Sequence, residues 1–185
     1  MADIAVANFG TNRIGILLGL GNGTFTNQIS TTTEASRPLW IHVAEFNDDG
    51  LPDIVTANFG THSVSVFLGY GNGTFGNPIM YSTGYDSYPM SVATGDFNND
   101  NRIDLFVANS GTNNVGILLG KGQGLFEPQK TFSTWYGSHP VSLVVGDFNG
   151  DNGLDIAVAN SGTNNVGIFL GYGNGSLSHQ SVYSL

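Results

Sequence analysis

The sequence predicts an all-β fold built from four units of about 50 residues, and three observations predict it. Asp followed by two apolar residues recurs at Asp3, Asp53, Asp104 and Asp155, at spacings of 50, 51 and 51 residues. Apolar, β-branched runs of four to six residues are bounded by Gly, Asn and Pro, which suits strands and is too short for helices. A proline opens each of the last three units, at Pro38, Pro89 and Pro140, where the missing N–H donor is not yet needed by a ladder. The units are read as 1–37, 38–88, 89–139 and 140–185 within a single domain.

The fourth unit gives the elements in order. Pro140 to Val145 alternates as a first strand (A) and leads into an acidic loop, and Asp155-Ile-Ala-Val-Ala follows as strand B. Asn160-Ser-Gly-Thr-Asn is a turn, Val166 to Leu170 is strand C, Gly171-Tyr-Gly-Asn-Gly is a second turn, and the segment to Leu185 is strand D. The glycines and asparagines of both turns supply the positive φ that reverses a chain tightly. One four-stranded antiparallel sheet cannot bury both of its faces alone, so four such units are expected to stack as blades of a β-propeller. The chain starts at strand B of its first unit. That unit is therefore expected to lack its inner strand and to leave an unpaired edge over Asp3 to Ala7.

Between strands A and B, three units carry a nine-residue acidic loop: Glu45 to Asp53, Asp96 to Asp104 and Asp147 to Asp155. Oxygen donors stand at positions 1, 3, 5 and 9, with a backbone carbonyl available at position 7. The candidate ligands are Glu45, Asn47, Asp49, Leu51 and Asp53 in the first loop, and Asp96, Asn98, Asp100, Arg102 and Asp104 in the second. The third loop offers Asp147, Asn149, Asp151, Gly153 and Asp155. Such a set wraps a hard cation, and its charge and flexible spacing favour calcium over magnesium, with about three Ca2+ sites in all. The competing reading is that Asp and Asn only form tight Asx turns, yet three clustered carboxylates without a cation repel one another.

Composition narrows the function. The net charge is −9 with only five Lys plus Arg, so a basic patch for nucleic acid or an anionic membrane surface is excluded. Nine of the 14 acidic residues are loop positions 1, 5 and 9, and one divalent ion per loop would bring the charge to −3. There is no cysteine, hence no disulfide and no thiolate site. No apolar run reaches the ~20 residues of a membrane helix, so no membrane insertion is expected, and the opening residues lack a secretion signal.

Gly-Asp-Phe-Asn-x-Asp with a later Asp, then Ile-Ala-Val-Ala-Asn and Leu-Gly-x-Gly-Asn-Gly-Thr-Phe, resembles the FG-GAP/VCBS repeat family of β-propellers across nearly the whole chain. That module occurs in integrin α-subunit heads, some fungal lectins and many secreted bacterial proteins. The resemblance implies a calcium ion in each A–B loop and an extracellular or cell-surface role in adhesion or recognition. Family propellers commonly close with about seven blades. Four units therefore point either to a segment of a longer propeller or to a homodimer that completes one.

Partner specificity is expected in residues that do not repeat, because scaffold positions recur and a site need not. They cluster in the D–A connections: Thr31 to Arg37 before Trp40; Tyr81, Tyr85 and Tyr88; Trp135, Tyr136 and His139. Aromatic and polar side chains together suit a protein or glycan ligand, unless they pack between blades. Asn22, Asn72 and Asn174 are formal N-glycosylation acceptors, although Asn-Gly is foremost a hairpin dipeptide. Catalysis has little support, since His42, His62, His139 and His179 share no ligand spacing and Glu34, Asp48, Asp86 and Glu127 form no pair. The expected function is a calcium-binding, non-enzymatic interaction module, with a carbohydrate-binding lectin as alternative and a polysaccharide-active enzyme domain as the second.

Overall fold

The computed structural model describes residues 2–184. The fold is all-β, with a single 3-10 turn among the described residues, at Phe9–Thr11. Sheet one holds β1 (Ile4–Asn8), β2 (Arg13–Leu17) and β3 (Ile29–Thr32) in that order. Sheet two runs β4 (Pro38–Ala44), β5 (Asp53–Asn58), β6 (Ser63–Phe67), β7 (Ile79–Ser82). Sheet three runs β8 (Pro89–Gly95), β9 (Asp104–Asn109), β10 (Asn114–Leu118), β13 (Lys130–Ser133), with a small hairpin of β11 (Gly120–Gly122) and β12 (Leu125–Phe126) beside it. Sheet four runs β14 (Pro140–Gly146), β15 (Asp155–Asn160), β16 (Asn165–Phe169), β17 (Ser181–Ser184).

Every strand pair within these sheets is antiparallel, and the register repeats from sheet to sheet: Ala44 lies opposite Asp53, Gly95 opposite Asp104, and Gly146 opposite Asp155. Each proline does occupy the first residue of its strand, followed by a bulge between Pro38 and Trp40, Pro89 and Ser91, Pro140 and Ser142. The hairpin paired as β11–β12 in sheet three is reduced elsewhere to single bridges, Gly19 to Phe25, Gly69 to Phe75 and Gly171 to Leu177.

The core lies between sheets. Ile14 and Ile16 of sheet one pack with Ile54 and Phe67 of sheet two. Val55, Val64 and Val66 of sheet two pack with Val92, Leu105 and Val107 of sheet three. Phe106, Val115 and Ile117 of sheet three pack with Leu143, Ile156 and Val158 of sheet four. Strands β5 and β9, covered by their own inner strand and by the next sheet, are buried at every residue. Their counterpart β1 has no inner strand beside it among the described residues and stays half-exposed throughout.

Candidate functional site

The acidic loops join β4 to β5, β8 to β9, and β14 to β15, and hydrogen bonds hold all three in one pattern. At position 1, Glu45 accepts the N–H groups of Asn47 (2.8 Å) and Asp48 (2.6 Å), and Asp96 accepts those of Asp100 (3.1 Å) and Asn101 (2.8 Å). Asp147 accepts four, including Gly150 (2.7 Å) and Asn152 (3.0 Å). These N–H groups, that of Asn152 foremost, hold the Asp147 carboxyl below the usual carboxylate range. At position 5, Asp49, Asp100 and Asp151 accept the position-7 N–H and the side-chain amide of position 3. Left-handed backbone at Asp48, Gly50, Asn101 and Asn152 winds the loops.

Position 9 has a role that sequence reasoning missed. One oxygen of Asp53 accepts the N–H of Phe46 (2.8 Å) and the other that of Gly69 (2.7 Å), so a buried carboxylate ties the A–B loop to the C–D hairpin of its own sheet. Asp104 does the same with Phe97 and Gly120, and Asp155 with Phe148 and Gly171. The partner must be glycine, because a Cβ at Gly69 or Gly171 would meet the carbonyl oxygen of Pro52 or Leu154 at 2.2 or 2.0 Å. The constant 16-residue offset from each repeated Asp to a Gly was the available signal. Burial raises the pKa of Asp53 and of Asp104, and the charges of Asp49 and Glu45, or of Asp100 and Asp96, push the same way.

In the 45–53 and 96–104 loops the position-9 carboxyl thus lies close enough to feel the charges of positions 1 and 5, although no three carboxylate or imidazole groups converge as a ready cluster among the described residues. The donors are all oxygen, a set that fits a hard divalent cation. The loops are not equal. The guanidinium of Arg102 pairs with Asp100 and donates to the Gly120 carbonyl (2.8 Å), so the 96–104 loop carries its own cation beside a candidate ligand. Neither the 45–53 nor the 147–155 loop has such a partner among the described residues, and of these two only the 147–155 loop has aspartate at positions 1, 5 and 9.

The variable residues lie at the other end of the strands. The D–A connections hydrogen-bond to the B–C turns, Thr83 N–H to the His62 carbonyl and Gly111 N–H to that of Ser87, while the acidic loops bond to the C–D hairpins. Tyr81 and Tyr88 are scaffold: Tyr81 packs edge-on against Phe126 of the next sheet, and Tyr88 lies on His62 and Phe59. Tyr85, Trp135 and Tyr136 are 87, 62 and 97% exposed. Trp135 borders an open groove of about 610 Å3 between sheets three and four, shared with Tyr172, His179 and Gln180. The Gln180 amide packs against Gly167, as Gln28 does against Gly15 and Gln129 against Gly116, and has no hydrogen-bond partner among the described residues. The groove was missed because its walls come from different units. Asn22, Asn72 and Asn174 each accept the N–H and hydroxyl of the Thr or Ser two residues on, the Asx turn expected of a hairpin. No helix among the described residues is long and apolar enough to cross a membrane.

Comparison with solved structures gives the fold its relatives. Virginiamycin B lyase from Staphylococcus aureus matches with a TM-score of 0.69 at 17% identity, covering 100% of this chain and 52% of that one. An Agrocybe aegerita lectin that recognises non-reducing terminal N-acetylglucosamine matches at 0.62 and 21%, covering 99 and 52%. A putative 6-phosphogluconolactonase from Bacteroides uniformis matches at 0.68 and 16%, covering 98 and 53%. These neighbours are β-propeller-like, and the chain spans about half the length of each. No curated protein matches the chain. The model of the FG-GAP-like repeat matches three times in register, over residues 1–56, 45–107 and 96–158, each match taking in an Asp-bearing strand B and its hairpin; the chain belongs to the FG-GAP-like repeat family.

Proposed function

We propose that this chain is a calcium-binding β-propeller module, its four sheets acting as blades, that recognises a protein or glycan ligand outside the cell. The observation that carries the calcium reading is the ring of Asn, Asp and Glu oxygens that each A–B loop holds with the same position-5 hydrogen bonds, above a buried aspartate, in all three copies. The chain's own residues would hold the ion through the carboxylates of each loop, and the ion would supply the positive charge that offsets their repulsion. Ions bound only by the folded loops stabilise it by RT ln(1 + [L]/Kd), about 2.7 kcal/mol per site at a hundredfold excess over Kd. Chelation should therefore lower the melting temperature and millimolar calcium restore it. An identical melt in both, with metal content measured as zero, would refute calcium binding. Asp151→Ala should weaken one site and leave the others.

A glycan is the ligand that one observation favours. The groove bordered by Trp135 combines exposed aromatic faces from Trp135 and Tyr172 with the exposed polar side chains of Thr131 and His179, the mixture that sugar rings use for stacking and hydrogen bonding. Retention on a glycan array by the native chain, lost in Trp135→Ala with an unchanged melt, is the expected result. Retention that survives this change would move recognition away from the groove.

Self-association is part of the same reading. A Cβ on Gly73, Gly124 or Gly175 would touch Leu18, Leu68 or Leu119 of the preceding sheet, so each hairpin rides on a leucine of its neighbour. The next leucine in this series, Leu170, is exposed, as is Phe148, and Gly23 of sheet one meets nothing. The free face of sheet four thus matches the free face of sheet one, and two copies joined head to tail would make a closed assembly about as long as the matched structures.

A further inference from the structure

The outer strands of sheets one, two and three share one repeated position. It lies opposite Ile14 in β3, opposite Val64 in β7 and opposite Val115 in β13, and it is Thr31, Tyr81 and Phe132 in turn. Between sheets two and three, the Tyr81 hydroxyl donates to the Gly124 carbonyl and accepts the Phe126 N–H, both at 3.2 Å, while its ring packs edge-on against Phe126. One phenol oxygen therefore satisfies two backbone groups of the C–D hairpin in sheet three.

The seam between sheets three and four presents the same two backbone groups without a phenol. Gly175 and Leu177 stand 51 residues beyond Gly124 and Phe126, and the bridge from Gly171 to Leu177 repeats the pairing of Gly120 with Phe126. Phe132, 51 residues beyond Tyr81, has the ring but no hydroxyl. The Leu177 N–H consequently lacks the partner that the Phe126 N–H has, and among the described side chains the Gly175 carbonyl meets only the Lys130 ammonium, at 3.4 Å. Here the seam opens into the groove of about 610 Å3, with Phe132, Phe169 and Leu177 in its walls and the exposed rings of Trp135 and Tyr172 beside them. Between sheets one and two, where the position is Thr31, the seam likewise opens, into a groove of about 390 Å3, but Glu34 stands there in the place of Trp135.

We infer that the Trp135 groove reads one sugar hydroxyl in the place of the Tyr81 hydroxyl. That hydroxyl donates to the Gly175 carbonyl and accepts the Leu177 N–H, and Phe132 is the residue that determines this specificity by leaving both groups free. A hydrogen bond in a wall of Phe132, Phe169 and Leu177 is stronger than one in open water. A sugar with hydrogen in place of that hydroxyl leaves both backbone groups unpaired and is refused. The inference rests on the glycan reading of this groove and adds to it the atoms that select.

Phe132→Tyr supplies the missing oxygen from within the chain. The glycan that the native chain retains most strongly on an array, titrated by calorimetry, should bind at least about tenfold more weakly to Phe132→Tyr. The melt of this variant should stay level or rise, because two backbone groups gain a partner. Phe132→Leu adds no oxygen and should bind within about threefold of the native chain. A deoxy series of the same glycan, each member lacking one hydroxyl, needs no variant: one position should cost as much as Phe132→Tyr does. Unchanged binding in Phe132→Tyr, or a flat deoxy series, overturns the inference and leaves the glycan reading standing. Equal losses in Phe132→Tyr and Phe132→Leu overturn it too, since the ring and not the hydroxyl would then be the contact. A native chain that retains no glycan at all removes the glycan reading itself, and the inference with it.

Discussion

At the scale of single residues, the aspartates divide into two kinds that the repeat does not distinguish. Position 1 caps backbone and is exposed at Asp147 and half-buried at Glu45 and Asp96, while position 9 is buried and joins two loops. Asp155→Ala should accordingly cost about 1–3 kcal/mol, because it strands the buried Gly171 N–H and loosens the part-buried one of Phe148, whereas Asp147→Ala should cost less, its N–H partners being open to water. Urea unfolding of both variants in chelator, which removes any ion contribution, measures the difference, and equal costs would contradict the division. His42 gives a pH dependence with a definite sign. It is half-buried, meets the Thr94 hydroxyl across the gap between sheets two and three, and burial lowers its pKa. A base whose folded pKa is depressed contributes stability above its unfolded value, near 6.5, and loses it as pH falls towards the folded one. Thermal melts from pH 7.5 to 5 should thus fall more for the native chain than for His42→Gln, and parallel curves would remove His42 as the cause.

At the scale of elements, the repeating joint is a loop phenylalanine inserted beneath the next sheet's hairpin. Phe46 meets Phe126 edge-on, with ring centres 5.6 Å apart, and the Gly124 N–H donates to the Phe46 carbonyl at 2.7 Å. Phe97 is wholly buried, whereas Phe148, the same residue in the sheet that no other follows, is 49% exposed. Phe97→Ala should cost about 3–5 kcal/mol, the usual range for emptying an aromatic core position, and Phe148→Ala about 1 kcal/mol or less. Both are read from chemical denaturation of dilute protein. A similar cost at the two sites would show that the next sheet contributes nothing to the joint. The strands, turns and prolines that frame this joint were legible in the sequence, since alternation, Gly-Asn turns and strand-initial proline are local preferences. The pairing of loop with hairpin was not, because its partners are some 80 residues apart and neither is unusual by itself.

At the scale of the whole molecule, the cores are three seams between four sheets, so stability is a sum of neighbouring interfaces and the two end faces remain to be used. Multi-angle light scattering of the 185-residue chain should give a dimer at micromolar concentration, and Leu170→Asp together with Phe148→Asp should yield a folded monomer. A monomeric native chain would leave the end faces to other partners. The aromatic residues illustrate the same point about ends. Tyr81 and Tyr88 fill seams and are scaffold, while Trp135, in a matching connection one unit later, opens onto a groove.

The sequence by itself determined the all-β class, the repeat, the strand and turn positions, the acidic loops and the family, because each is a local pattern recurring at a fixed period. Only the tertiary structure decided which copies of a pattern do different work. Arg102 reads as a position-7 residue, and its side chain turns out to pair with Asp100. Asp3 and Asp53 are the same letter in the same motif, yet Asp53 is buried with both oxygens bonded, while Asp3 is exposed and bonded through one oxygen among the described residues. The physical reason is burial: what a repeated residue does depends on whether a neighbouring sheet covers it, and coverage is a property of the array that no single repeat encodes.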